Sequence, residues 1–492
     1  MNYCSIKKVN NNAPRLEPPA HIHLMGICGT GMGSLAGMFH SQGYRVSGSD
    51  QAVYPPMSDF LKELGIQVLE GYKASNLSPR PDLVVVGNVI RKTNPEAIAL
   101  DRSAIPFTSM PMALKQYFAA DKTRIVVSGT HGKTTVSAMI AWVLFKAGLE
   151  PGFMIGGLPK NFAQNHRVGN GSLFVIEGDE YDTAYFDKHP KFLHYCPHLA
   201  VITSCEFDHA DIYADLDSIK DQFRALVRLI PADGAIIAFG GDETVREIVQ
   251  GSEAPTFIYG EGPLMDWSVG GVSLVDRGIS VTVSNRGRKV ASGTLPVIGR
   301  HNVLNAVAAI AASAKVGVDP QVALDALGLF QGVKRRQETI GEHAGITVID
   351  DFAHHPTAVE VTCSGVKTEF PLRRLVAVFE PRTNTSRRAI FQKQYASAFG
   401  SADLILIREP RDTENIPLQD RFDSQRLAED LRSIGKNACA FESTDAILQF
   451  LTANIHRGDV VLIMSNGSFD NLGRNLLARV REVDHEGSDT LR

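Results

Sequence analysis

The chain has 492 residues, 44% of them hydrophobic and 21% charged, with a formal net charge of −4. That length exceeds what one hydrophobic core organises and calls for two to four domains. The near-neutral, faintly acidic balance excludes a protein whose main partner is nucleic acid or an acidic membrane surface.

The first 20 residues are polar and lack the apolar stretch of a signal peptide, so 1–20 is expected to be a disordered N-terminal tail. No run of about 18 apolar residues occurs to span a membrane. The six cysteines (Cys4, Cys28, Cys196, Cys205, Cys363 and Cys439) are scattered without a C-x-x-C pair. They read as reduced thiols of a cytoplasmic protein.

Short apolar runs alternate with helical patterns along the rest of the chain, the signature of α/β domains with largely parallel sheets. In the first unit, 21–119, candidate strands lie at 21–25, 44–47 and 82–86. The first runs into Gly26-Ile-Cys-Gly-Thr-Gly-Met-Gly33, and Asp50 ends the second. This resembles a dinucleotide fingerprint, but G-x-G-x-x-G fails at Ser34. The loop therefore suits a diphosphate, or is simply a tight turn of small residues.

The second unit, 120–333, opens with the strand 124–128 and the loop Gly129-Thr-His-Gly-Lys-Thr-Thr135, followed by a helix over 136–146. A glycine-rich turn at a helix N-terminus offers backbone N–H groups to phosphate. Lys133 would reach the β- and γ-phosphates of ATP and Thr134 would hold Mg²⁺. Two acidic clusters follow at strand ends, Glu177-Gly-Asp-Glu-Tyr-Asp182 and Glu206-Phe-Asp-His-Ala-Asp211. Carboxylates there are natural Mg²⁺ ligands, or else cap helices. Residues 268–297 alternate as antiparallel hairpins, and an alanine-rich helix covers 302–316. The third unit, 334–492, has candidate strands at 347–350, 374–379, 403–407 and 459–464, and a polar tail after residue 483.

Taken in order, Gly129-Thr-x-Gly-Lys-Thr134, Glu177 with Asp179-Glu180, Asp208-His209, Gly299-Arg-His-Asn-Val-Leu-Asn-Ala306 and Asp350-Asp-Phe-Ala-His-His-Pro356 resemble the motifs of the Mur ligase family. The resemblance runs from residue 21 to about 475. It implies a three-domain α/β architecture: a Rossmann-like UDP-binding domain, a central P-loop ATPase domain and a C-terminal Rossmann-like domain. It also implies an ATP-dependent ligase that makes an amide through an acyl phosphate.

Carried over residue by residue, the resemblance puts ATP on Gly129, Thr130, Gly132, Lys133, Thr134, Thr135, Asn302, Asn305, Arg336 and Asp351. Mg²⁺ (Mn²⁺ is an alternative) would sit on Thr134, Glu177 and His209. Gly29, Thr30, Gly31 and Asp50 would hold the UDP-sugar, and Lys133, His209, His354 and Arg382 would be the catalytic set. Asn302 and Asn305 alternatively only pack their helix, and His355 is read as structural. Arg387 and Arg388 either grip carboxylates of the incoming peptide or form a solvated helix face.

The first domain and the form Asp-Asp-x-x-His-His-Pro point to the UDP-N-acetylmuramate branch. The segments Tyr54-Pro-Pro-Met-Ser58, Tyr185-Phe-Asp-Lys188, Glu380-Pro-Arg-Thr-Asn-Thr385 and Met464-Ser-Asn-Gly467 favour a murein tripeptide as the second substrate, with L-alanine the alternative. Ser204 stands where relatives usually carry asparagine. Lys220 and Arg224 lie near the position where some relatives carry a carbamylated lysine. Neither nucleic acid nor membrane is expected as a partner, and oligomeric state is not readable.

Overall fold

The computed structural model describes residues 15–53, 57–276 and 278–486, with side chains up to residue 482. Cys4, most of the 1–20 segment, Tyr54-Pro-Pro56 and 487–492 lie outside the described residues. Of the N-terminal segment, Leu16 is placed between two rings: its N–H donates to the Tyr117 hydroxyl (3.3 Å) and its carbonyl accepts from Tyr44 (2.7 Å). No disulfide joins the five described cysteines. No helix among the described residues is long and apolar enough to cross a membrane.

Three main sheets form, of five, ten and six strands, with a two-stranded ribbon beside them. The first is fully parallel, in the spatial order Gln67–Glu70, Arg45–Asp50, His21–Met25, Leu83–Val86, Phe107–Ser109. Leu83–Val86 is buried at every position, as a strand covered on both faces must be. The chain order reverses beside His21–Met25, and the first glycine loop leaves the carboxyl end of that strand, where α/β sheets bind ligands.

In the middle sheet, Thr123–Ser128 lies between Leu199–Ile202 and Leu173–Gly178, all parallel. Both acidic clusters therefore flank the phosphate loop, because their strands flank the strand that carries it. One end of this sheet is the antiparallel meander Trp267–Val275, Gly278–Asn285 and Arg288–Leu295, as the alternation predicts. The helix Lys133–Lys146 packs on the alanine-rich helix Arg300–Lys315. Both start a little earlier than the periodicity predicts, at glycines whose φ is positive, 82° at Gly132 and 83° at Gly299.

The third sheet runs Glu338–His343, Ile346–Asp351, Val460–Met464, Leu375–Phe379, Leu404–Arg408, Asn437–Phe441. Only the first of these is antiparallel. Both edge strands escape the sequence reading, because edge strands need not be apolar. The C-terminal tail expected after residue 483 is helical to Glu486, the end of Leu472–Glu486.

The apolar core is continuous between the first two sheets. Phe39, Tyr44, Tyr117 and Phe118 of the first unit belong to the same buried cluster as Val126, Phe174 and Ile202 of the second. The third unit has its own cores, and among the described residues of the middle unit Phe207 and Ile298 reach them. Phe39 is the keystone of the shared cluster, fully buried with rings at 5.2 Å (Tyr44), 5.0 Å (Tyr117) and 5.0 Å (Phe118). Phe39→Ala is expected to cost about 3–5 kcal/mol. In hydrogen exchange under denaturant, the first two units should lose protection together while the third keeps its own midpoint; loss confined to the first unit would contradict a shared core.

Candidate active site

One cleft of about 2680 Å³ gathers residues that follow the carboxyl ends of strands in all three sheets. Gly29, Thr30 and Gly31 line it from the first unit; Thr130, Gly132, Lys133, Thr134, Thr135, Glu177, His209, Asn302 and Asn305 from the second; Arg336, Asp351, His354 and Arg382 from the third side. Gly129 and Asp50 do not line it. Asp50 instead braces the glycine loop from behind: its carboxylate accepts the Cys28 N–H at 2.8 Å, the Ala52 N–H at 3.2 Å and the Tyr72 hydroxyl at 3.3 Å. It is buried at 9% exposure, and these contacts brace the turn that carries Gly29, Thr30 and Gly31.

Gly129 closes the phosphate-loop strand with φ 140°, and a Cβ there would lie 2.2 Å from Thr203 Oγ1, so only glycine fits. Ser204 holds the loop, its Oγ accepting the His131 N–H (2.8 Å) and its carbonyl the Thr130 N–H (3.2 Å). Serine at this position thus has a structural partner, which its difference from asparagine did not foretell.

The Lys133 ammonium donates to the Gly129 carbonyl at 2.6 Å and to both Glu180 oxygens, at 2.9 and 3.2 Å. Glu180 also faces His209 Nε2 at 3.2 Å, so one carboxylate bridges a lysine and a histidine. Burial acts to raise the Glu180 pKa, but Lys133 and His209 overcome it and bring it from the usual 4.5 to about 2. His209 is buried too, which opposes its charge, yet Glu180 and Asp208 leave its pKa raised. Its φ of 53° is left-handed, a costly conformation for a non-glycine residue and one found at functional sites. The sequence places Glu180 in an acidic cluster and a family motif without giving it a role, because that role needs two partners from other segments.

Glu177 accepts from Thr134 Oγ1 at 2.7 Å and from the Gly156 N–H at 2.6 Å. Burial and neighbouring Asp179 raise its pKa, so this carboxylate pair is short of positive charge. Two hard oxygen donors with a charge deficit fit a Mg²⁺-type ion. Arg336 Nη2 donates to Thr134 Oγ1 (3.1 Å), bringing a guanidinium to the same place, and Arg336 lies over the Phe352 ring at 4.6 Å. Asp351 accepts the Gln337 and Ala353 N–H groups, both at 2.7 Å, and burial raises its pKa.

Asn302 donates to the Ile298 carbonyl (2.9 Å) and to Gln337 Oε1 (2.7 Å), and Asn305 donates to Asn302 Oδ1 (3.0 Å). Both amides thus have protein partners while facing the cleft. His354 Nε2 lies 3.8 Å from Asp208, and Nδ1 is 2.9 Å from the Phe352 carbonyl. The Arg382 guanidinium lies over Gly467, where a Cβ would come within 2.4 Å of it, with Glu380 at 3.9 Å.

Arg387 and Arg388 form no helix face. They precede the short turn Ala389–Phe391, and the Arg387 guanidinium donates to the Asp412 carbonyl (2.9 Å), the Arg411 carbonyl (3.3 Å) and Asn384 Oδ1 (2.8 Å). Lys220 and Arg224 both pair with Glu247, and neither lines the cleft.

A pH signature follows from Glu180. Because its pKa is lowered in the folded protein, its stabilising contribution is complete above the usual 4.5 and disappears as pH falls toward about 2. The stability gap between the wild type and Glu180→Gln in urea titrations should therefore be widest at neutral pH and close on acidification. A gap independent of pH would show that Glu180 is not charged in the fold.

Family profiles match the chain in three consecutive parts: "Mur ligase family, catalytic domain" over 21–122, "Mur ligase middle domain" over 127–313 and "Mur ligase, glutamate ligase domain" over 335–467. The UDP-N-acetylmuramate–L-alanyl-γ-D-glutamyl-meso-2,6-diaminoheptandioate ligase of Escherichia coli K12 is 40% identical over 458 residues, 93% of this chain and 97% of its own. The UDP-N-acetylmuramate–L-alanine ligase of Desulforapulum autotrophicum is 34% identical over 461 residues, 93% of this chain and 98% of its own. The crystal structure of a murein peptide ligase from Psychrobacter arcticus superposes with a TM-score of 0.71 at 36% identity, covering 94% of this chain and 98% of that one.

Proposed function

The chain belongs to the Mur ligase family, and on that basis we propose that it joins the lactyl carboxylate of UDP-N-acetylmuramate to the amine of L-alanyl-γ-D-glutamyl-meso-diaminopimelate, at the expense of ATP. The observation that carries the reading is the single cleft in which the phosphate loop, two buried carboxylates and residues of the first and third units meet. A ligase with these nucleotide substrates works in the cytoplasm.

A carboxylate does not condense with an amine unaided, since its oxygen is a poor leaving group. Its oxygen attacks the γ-phosphorus of ATP and ADP leaves. The peptide amine then attacks the carbonyl of the acyl phosphate, phosphate departs, and the amine gives up one proton. Phosphoryl transfer asks chiefly for positioning and charge neutralisation. The backbone N–H groups of Gly132, Thr134 and Thr135 and the Lys133 ammonium cradle the triphosphate, with Thr130 shaping the loop through its bond to Ser204, and Lys133 must exchange its Glu180 partner. Thr134 and Glu177 would hold Mg²⁺, with His209 placed for a second, and such an ion would supply charge neutralisation for phosphoryl transfer. Arg336 adds a guanidinium next to Thr134, Asp351 accepts from the ribose, and Asn302 and Asn305 turn their amides to the base. Gly29, Thr30 and Gly31 receive the UDP diphosphate at the start of the helix Thr30–Ser41. His354 and Arg382 orient the incoming peptide.

Lys133→Ala should lower UDP-N-acetylmuramate-dependent phosphate release by about 10³-fold or more. Near-normal release by a folded variant would remove this loop from the chemistry. The second substrate is decided by kcat/KM at saturating ATP and UDP-N-acetylmuramate. A tripeptide presents carboxylates that an arginine such as Arg382 pairs bidentately, and that remote binding energy positions the amine. The tripeptide should be used at least tenfold better than L-alanine; equal or better use of L-alanine makes the chain an alanine-adding ligase with the same mechanism.

A further inference from the structure

Beside the cleft, His131 of the phosphate loop, Glu206 of the middle unit and His355 of the third unit bring one ligand atom each within 4.8 Å of one another. His131 Nε2 is 3.6 Å from Glu206 Oε1, and His355 Nδ1 is 3.5 Å from Glu206 Oε2. The two imidazole rings lie 4.8 Å apart.

The hydrogen bonds set the protonation state of His355. Its Nε2 faces the Phe207 carbonyl at 3.2 Å, and a carbonyl only accepts, so Nε2 carries the proton. With Nε2 as the donor, Nδ1 of this buried ring presents a lone pair. That lone pair takes only a long contact from the Thr357 N–H, 3.3 Å, and otherwise looks toward the Glu206 carboxylate. The Glu206 carboxylate accepts from the Thr357 hydroxyl at 2.7 Å through Oε2 and turns its remaining lone pairs toward the two histidines. Two electron-rich atoms thus face each other at a separation that calls for a cation between them. His131 Nε2 is buried without a hydrogen-bond partner, and 3.6 Å to Glu206 is too long to be one.

We propose that His131, Glu206 and His355 form a divalent transition-metal site, of the Zn²⁺ class, separate from the Mg²⁺ position on Thr134 and Glu177. Ligands about 2.0–2.1 Å from a tetrahedral Zn²⁺ stand about 3.3–3.4 Å apart, close to the two separations to Glu206. Two imidazoles and one carboxylate select Zn²⁺, Co²⁺ or Ni²⁺ over Mg²⁺, which prefers oxygen. The fourth position opens to the cleft, which all three residues line. Because two ligands belong to the middle unit and one to the third, a bound ion clips the third unit to the phosphate loop.

The test is Co²⁺ and Zn²⁺ binding to the full chain in excess Mg²⁺ without nucleotide. One Co²⁺ per chain with the intense visible bands of a tetrahedral site, displaced by Zn²⁺, is the expected result. Glu206→Gln and His355→Gln should each weaken Zn²⁺ binding at least tenfold in equilibrium dialysis, while Glu177→Gln leaves it unchanged. Circular dichroism without metal identifies a variant that has merely unfolded, and the wild-type Co²⁺ spectrum does not depend on any variant. Absence of a tetrahedral Co²⁺ spectrum, or Zn²⁺ affinity unaffected in folded Glu206→Gln and His355→Gln, would overturn the site and leave the three residues as a metal-free contact between units.

Discussion

Everything in the cleft depends on how the short segment after the strand Leu199–Ile202 is held. On one side Ser204 bonds the phosphate loop at Thr130 and His131, and the Thr130 hydroxyl accepts the Glu206 N–H at 2.8 Å. From behind, Asp242 accepts the Cys205 N–H at 2.8 Å while capping its own helix through Thr244 and Val245. On the other side the third unit grips the same segment: Thr357 donates to Glu206 (2.7 Å), Thr385 accepts the Ala210 N–H (3.3 Å) and Asn384 donates to Asp211 (2.8 Å). A few residues therefore set both the shape of the phosphate loop and the seat of the third unit, and a shift in either is felt by the other.

The electrostatics share this economy. Glu180 and Asp351 are buried and Lys133, Glu177, His209 and Arg336 half-buried around them, an arrangement costly for any of them alone. Each charge is kept by a neighbour from another strand: Glu180 between Lys133 and His209, Arg336 between Thr134 and the Phe352 face. Charges fixed before a polyanion arrives need not reorganise when phosphoryl oxygens develop charge, which is how such sites lower barriers. Glu180 also gives Lys133 a partner in the absence of triphosphate, so the buried ammonium is never left unpaired.

The two kinds of interface differ in chemistry. Between the first and middle units the contact is aromatic and aliphatic, continuous with the core and held by dispersion and burial. Between the middle and third units it is mostly hydrogen bonds and ion pairs, groups that exchange readily with water. The first two units thus behave as one frame, while the third is docked on it through polar groups at the cleft.

The α/β class, the phosphate loop and the strand positions in the unit cores were legible in the sequence, because each rests on a local rule: buried parallel strands are continuously apolar, and a loop between strand and helix needs glycine and lysine. The antiparallel run after residue 267 was legible for the same reason, through its alternation. Edge strands such as Asn437–Phe441 were not, since one open side removes the demand for apolar residues. What only the tertiary structure decided was neighbourhood. Asp50 reads as a ligand contact by spacing, and the fold turns its carboxylate to the Cys28 and Ala52 amides. Arg387 reads as a free cation, yet the fold gives its donors to backbone carbonyls and Asn384. His355 reads as structural, yet it meets His131 and Glu206 from two other segments. The physical reason is the same in each case: a polar side chain's role is set by the partner that satisfies it once water is gone, and those partners come from strands whose order in the sheet is not written in any one segment of the chain.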